Sequence, residues 1–154
     1  MLDTVSTSDI DDGSVTAAKL SSVVLDDLSN VSASSPTVGD NLRWDGSNWV
    51  ATDVEINGQT GTSYTLALSD VGKLVTLSNA SGITLTVPPE SSVAFEVGAA
   101  VAIAQTDSGS VSVASGSGVT ITSFNDYFDL AGEGATASLV KLGSDAWLLF
   151  GNLK

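Results

Sequence analysis

The chain has no cysteine and no histidine in its 154 residues. Disulfides, thiolate nucleophiles, structural zinc sites and imidazole general bases are therefore excluded at the level of the atoms present. Basic residues are also scarce: Lys and Arg total 5 against 18 Asp and Glu, a formal net charge of −13. A surface this acidic repels phosphate backbones and anionic headgroups, so neither nucleic acid nor a membrane is expected as a partner. No long hydrophobic run is present. The longest nearly apolar stretch, Val97 to Ala104, is far short of the roughly 20 residues that span a bilayer. The start, Met1-Leu2-Asp3-Thr4, has neither a basic region nor an apolar run, so no secretory leader is expected and synthesis is assigned to the cytoplasm. No cofactor or metal is implied.

What is present is aliphatic and small. Hydrophobic residues make up 42% of the chain, aromatics only 6%, and glycine, serine and threonine are frequent. That balance favours β structure with tight turns. Apolar residues are sparse before Gly58-Gln59, where Asp and Ser dominate, and alternating runs follow it. The expected organisation is an attachment module over 1–58 and a β-domain over 59–154.

In the second part, Tyr64, Leu66 and Leu68 recur at period two. Val75 and Leu77 follow, then Ile83, Leu85 and Val87, stopped by Pro88-Pro89. Val101 and Ile103, Val111 and Val113, and Val119 and Ile121 continue the pattern. A final pair of strands spans 136–142 and 146–150. Turn signals between the runs, such as Asn79-Ala80-Ser81-Gly82, predict an all-β fold: an antiparallel sandwich or barrel-like domain. Ala146-Trp147-Leu148-Leu149-Phe150 is apolar on both faces. Either it is the domain's central strand, or its second face lies against a neighbouring subunit.

The first part is less regular. Ser14 is placed to cap a short helix carrying Leu20, Val24, Leu28 and Val31 on one stripe, and an extended arm is nearly as well supported. Asp45-Gly46 is a hairpin signal, and a four-residue loop would set Trp44 opposite Trp49. A two-stranded hairpin is marginal alone, and this segment has too few apolar groups for its own core. Its indoles must be covered, either by the second domain or by copies from other chains, and the latter predicts an interface between chains at Val24, Leu28, Trp44 and Trp49.

The run Asp11-Asp12-Gly13-Ser14-Val15-Thr16-Ala17-Ala18-Lys19-Leu20 resembles linker modules of tailed-bacteriophage fibres, as does Leu25-Asp26-Asp27-Leu28-Ser29-Asn30-Val31. Pro36, Gly39, Leu42 and the Trp44-Asp45-Gly46 to Trp49-Val50 hairpin extend the likeness. Later, Tyr64-Thr65-Leu66, Asp70-Val71-Gly72, Leu85-Thr86-Val87-Pro88, Gly118-Val119-Thr120-Ile121 and Trp147-Leu148-Leu149-Phe150-Gly151 resemble a β-domain of phage fibre and head-decoration proteins. The resemblance implies a homotrimer on a virion surface, attached through its N-terminal part to the major capsid protein or another virion protein. With room for only one shaft-like module, a compact capsid decoration or head-fibre protein is favoured over a full tail fibre. Leu2, Val5, Ile10, Val15 and Leu20 are the candidate docking residues.

Catalysis finds little support, and the expected class is not an enzyme. The pair of carboxylates that glycoside cleavage requires would come from Asp126, Asp129 or Glu133, interleaved with Phe124, Tyr127 and Phe128. Phe124, Asp126, Tyr127 and Asp129 are also the candidate ligand loop for a host surface glycan. The plainer alternative has these aromatics plugging one end of the domain with the acids in water. The cluster Asp9, Asp11, Asp12 lacks the spacing of a calcium loop. The sequons at Asn30 and Asn79 are expected to be ordinary turn residues. Gly116-Ser117-Gly118 lacks the helix and lysine of a phosphate cradle.

Overall fold

The computed structural model describes residues 31–32, 40–44 and 47–154. The chain forms two compact units, Met1–Asp53 and Val54–Lys154. The expected boundary at Gly58-Gln59 falls inside a strand of the second unit. The docking residues Leu2, Val5, Ile10, Val15 and Leu20, the interface residues Val24 and Leu28, and the helix-or-arm alternative over residues 14–30 lie outside the described residues. Val31, the last position of the proposed helical stripe, is in a strand.

In the first unit, β1 (Val31–Ser32), β2 (Asn41–Trp44) and β3 (Trp49–Thr52) form one sheet in the order β1-β3-β2. β2 and β3 are antiparallel, and β1 runs parallel to β3.

The second unit is built from β4 (Ile56–Gln59), β5 (Ser63–Thr65), β6 (Leu74–Leu77), β7 (Ile83–Val87), β8 (Ala100–Gln105), β9 (Val111–Ser115), β10 (Thr120–Ser123), β11 (Thr136–Gly143) and β12 (Ala146–Gly151). The fold is all-β; among the described residues there is no α-helix, only short turns at Leu68–Asp70 and Phe124–Asp126. A six-stranded sheet, β10-β12-β11-β8-β6-β4, faces a three-stranded sheet, β5-β7-β9, across a single core.

The expectation of antiparallel pairing is corrected here. β4, β6 and β8 are parallel neighbours in one sheet, and β5, β7 and β9 are parallel neighbours in the other. Successive strand pairs therefore wind as three coils of a two-sheet solenoid, in which each turn signal is a corner that passes the chain between sheets. Only β11 pairs antiparallel on both sides, with β8 and β12, while β10 joins β12 in parallel at the far edge. β12 is thus an interior strand of the large sheet but not a doubly covered one.

The corners explain the parallel stacking. Asn79 donates to the Thr60 carbonyl at 2.7 Å and accepts from the Ser81 amide at 2.8 Å, tying one corner to the next and closing its own turn. The Ile83 amide reaches the Ser110 carbonyl at 2.8 Å. A side chain at Gly109 would overlap the Asn79 carbonyl and the Gly82 amide, so the corners approach backbone to backbone.

Clean alternation directs Val75, Leu77, Val101, Ile103, Leu139, Trp147 and Leu149 inward from the large sheet, to meet Ile83, Leu85, Val87, Val111 and Val113 from the small one. Each such side chain contributes about 1.5–3 kcal/mol on burial. Phe95 packs edge-on to Trp147 with centroids 5.2 Å apart.

Four inward strand positions are polar. Lys141 is buried and donates to the Phe95 carbonyl at 2.7 Å; its contact with Glu90 at 3.1 Å is an ion pair. Gln105 donates to the Asp107 and Gly109 carbonyls. At the first coil, β4 turns Asn57 and Gln59 inward in place of aliphatic residues. Asn57 joins Tyr64 and the fully buried Asp70 in a hydrogen-bonded network. The core ends in a polar lid at this coil. Leu68, expected to continue the strand of Tyr64 and Leu66, instead opens the turn that carries Asp70 and is exposed.

Candidate functional site

Two exposed aromatic pairs dominate the described surface. The first is the hairpin of the N-terminal unit. Trp44 stands opposite Trp49 across β2 and β3, as the four-residue loop required. Their ring centroids are 5.6 Å apart with planes tilted by 59°. A cross-strand aromatic pair contributes roughly 0.5–1.5 kcal/mol beyond its burial. Each indole nevertheless keeps 46% or 44% of its surface in solvent. With roughly 250 Å² per large aromatic and 25 cal/mol per Å², covering both rings would release about 6 kcal/mol at most. Leu42, on the same strand as Trp44, is also exposed.

The second pair lies in the loop between β10 and β11. Phe124 is 76% exposed and Tyr127 40%, with ring centroids 6.4 Å apart at 78°. The turn between them puts Asn125 and Asp126 in the left-handed region, at φ 53° and 55°. Asn and Asp are the residues other than glycine that enter this conformation most readily, because their short polar side chains bond to the local backbone, so the turn suits its sequence. The turn is held by its base: Phe128 packs on the core, the Val113 amide donates to the Phe128 carbonyl, and Asp129 bridges Ser112 on β9. The Lys154 amide donates to the Asp129 carbonyl, fastening the chain end there too.

Of the four proposed loop residues, Phe124, Asp126 and Tyr127 thus share one exposed turn, whereas Asp129 belongs to its anchor. The alternative in which the aromatics plug the domain holds for Phe128 and fails for Phe124 and Tyr127. Beside the anchor lies a shallow groove of about 300 Å³ lined by Val113, Ala114, Ser115, Ile121 and Phe128.

The polar groups that the sequence did not single out are structural in their geometry. Asp70 accepts from Asn57 Nδ2 at 2.7 Å through Oδ1, and from the Tyr64 hydroxyl and the Ala67 amide at 2.8 Å through Oδ2. Burial, reinforced by the adjacent Asp70 carboxylate, raises the Tyr64 phenol above its ordinary value. Glu90 is held below the usual carboxylate range by the Ser144 hydroxyl, with the Lys141 ammonium second. Lys141 carried a signal in its parity with Ala137 and Leu139 on β11; Asp70 carried only its turn context and its place in the Asp70-Val71-Gly72 motif, neither of which marks it as buried.

Among the described residues no group of three acidic side chains is arranged to hold a metal ion, and no helix is long and apolar enough to cross a membrane. Comparison with known proteins finds no matching protein-family model and no curated protein of significantly similar sequence.

Proposed function

We propose that this chain is a virion structural protein, a homotrimeric decoration or head-fibre protein on the exterior of a phage capsid. The observation that carries the reading is the half-exposed Trp44–Trp49 pair on a three-stranded sheet, a surface that sister chains would cover. The likeness of the linker and β-domain motifs to phage fibre and head-decoration proteins supplies the virion context. Attachment would work by multivalency. Three N-terminal arms, each making a modest contact through Leu2, Val5, Ile10, Val15 and Leu20, raise one another's effective concentration at the major capsid protein or another virion protein. The net charge of −13 keeps many neighbouring copies from aggregating. Deleting residues 1–20 is expected to abolish capsid occupancy and leave a folded trimer; unchanged occupancy refutes this docking scheme.

The Phe124–Tyr127 pair favours a second reading, a fibre-like tip that recognises a host surface glycan. Aromatic faces on a firmly anchored turn suit stacking on a sugar ring, with Asp126 beside them as a hydrogen-bond acceptor. Location separates the two readings: many copies across the head mark decoration, and a few at the tail mark adsorption. Glycan-array binding that disappears with Tyr127→Ala would establish the second.

A further inference from the structure

The two sheets of the second unit present different outward faces. On the small sheet the outward positions are hydroxylic: Ser63, Thr65, Thr84, Thr86 and Ser112 are joined only by Ala114. On the large sheet, one lateral row runs Ile56, Leu74, Ala102, Ser138, Phe150 across five strands. Ile56 is 68% and Phe150 50% exposed. The next row sets Ala100, Val140 and Leu148 side by side. No outward position on the six strands of this sheet carries a charge. A second groove, of about 380 Å³, lies on the same face between Leu74, Ala102, Ser138 and Phe150.

We infer that this outward face is the surface through which the second unit packs against another copy of the same chain. The inference rests on the homotrimer reading and extends it from the hairpin to the β-domain. Charge selects the occupant. A basic partner would be drawn to the acidic turns, whereas a chain of net charge −13 can approach its own copy closely only where neither surface carries carboxylates. The outward positions of both sheets are free of charge, but only the large sheet sets a continuous row of aliphatic and aromatic side chains among its threonines (Thr76, Thr120, Thr122 and Thr136), and that row meets the condition. Six strands about 4.8 Å apart and roughly five residues long give a face of about 450 Å². That is little more than half of the ~800 Å² each partner gives to a standard interface.

The test uses the full chain. Ser138→Asp puts a carboxylate at the centre of the apolar row, and Thr84→Asp puts one on the hydroxylic face. In light scattering across a dilution series, Ser138→Asp is expected to shift dissociation to a concentration about tenfold higher or more, because an unpaired charge is costly to bury. Thr84→Asp is expected to match the parent chain. Parent-like association of a Ser138→Asp protein with an unaltered circular dichroism spectrum overturns the inference.

Because the chain has no cysteine, Ser138→Cys and Thr84→Cys supply an independent readout through maleimide labelling. Labelling at 138 that is slow in the oligomer and matches position 84 after dilution to monomer supports the inference. Equal rates at all concentrations overturn it. So does slow labelling that persists in the monomer, which would mean that the chain covers the face itself. Protection that appears only on capsids would assign the face to another virion protein, with the same consequence. A parent chain that is monomeric throughout removes the homotrimer reading as well, whereas a trimer with position 138 open removes this inference alone.

Discussion

Asp70 is the residue on which the first coil depends, and replacing it gives the most informative stability measurement. Its carboxylate accepts from the Tyr64 hydroxyl, the Asn57 amide and the Ala67 backbone amide, all between 2.7 and 2.8 Å, and its side chain is fully buried. Hydrogen bonds to a charged group contribute about 1.5–3 kcal/mol each, and donors left buried without a partner cost about 1–3 kcal/mol. These effects overlap, so Asp70→Ala is expected to cost about 3–5 kcal/mol, a large part of the ~5–15 kcal/mol of a typical domain. At about 4 °C or more per kcal/mol, the melting temperature should fall by at least about 12 °C. Asp70→Asn keeps one acceptor and turns an amide nitrogen toward the donors, so about 1–3 kcal/mol is expected. Urea denaturation at fixed protein concentration reads both values. The same cluster predicts an alkaline limb. The Tyr64 phenol is raised above its ordinary 10.0 in the fold, so its stabilisation is complete below pH 10.0 and is lost as pH rises through the raised value. Tyr64→Phe should remove that limb. An Asp70→Ala loss below about 1 kcal/mol would show that the polar lid does not hold the first coil.

Other perturbations address separate parts of the molecule. Glu90, held low by Ser144 and Lys141, contributes stability that is present above the ordinary carboxylate value of 4.5 and lost as pH falls through its lowered one; thermal melts of Glu90→Gln should lack this acid limb. Gly109→Ala forces a methyl group into the Asn79 carbonyl and the Gly82 amide; backbone must move, and a cost of roughly 1–3 kcal/mol or more is expected in denaturation. Trp44→Ala removes one of two half-exposed rings, so dissociation should rise to higher concentration while the second unit's circular dichroism stays unchanged.

Strand positions were largely legible because a buried face imposes period two. Val75 with Leu77, Ile83 with Leu85 and Val87, and the closing pair around Gly143-Ser144-Asp145 all lie where alternation puts them. The Trp44–Trp49 pairing was legible from the Asp45-Gly46 turn signal and the loop length. Pairing direction was not, because a hairpin turn and a solenoid corner use the same glycine, asparagine and serine chemistry. No single period marks the coils either: parallel partners lie 28 residues apart between the second and third coils (75 to 103 and 83 to 111) but 18 and 21 apart between the first and second (56 to 74 and 63 to 84). β4 was missed because its inward residues are Asn57 and Gln59, which present no apolar period. The exposed turn of Phe124 and Tyr127 left both of its readings open, since composition cannot say which of three nearby aromatics enters the core. Phe128 does.

The exposed indoles and the outward face of the large sheet either find cover among identical chains or stay open to water. Native mass spectrometry of the full-length protein at micromolar concentration asks this most directly. A single species with the mass of three chains is the predicted result; a species of one chain, with Trp44 and Trp49 still open to quencher, would contradict it.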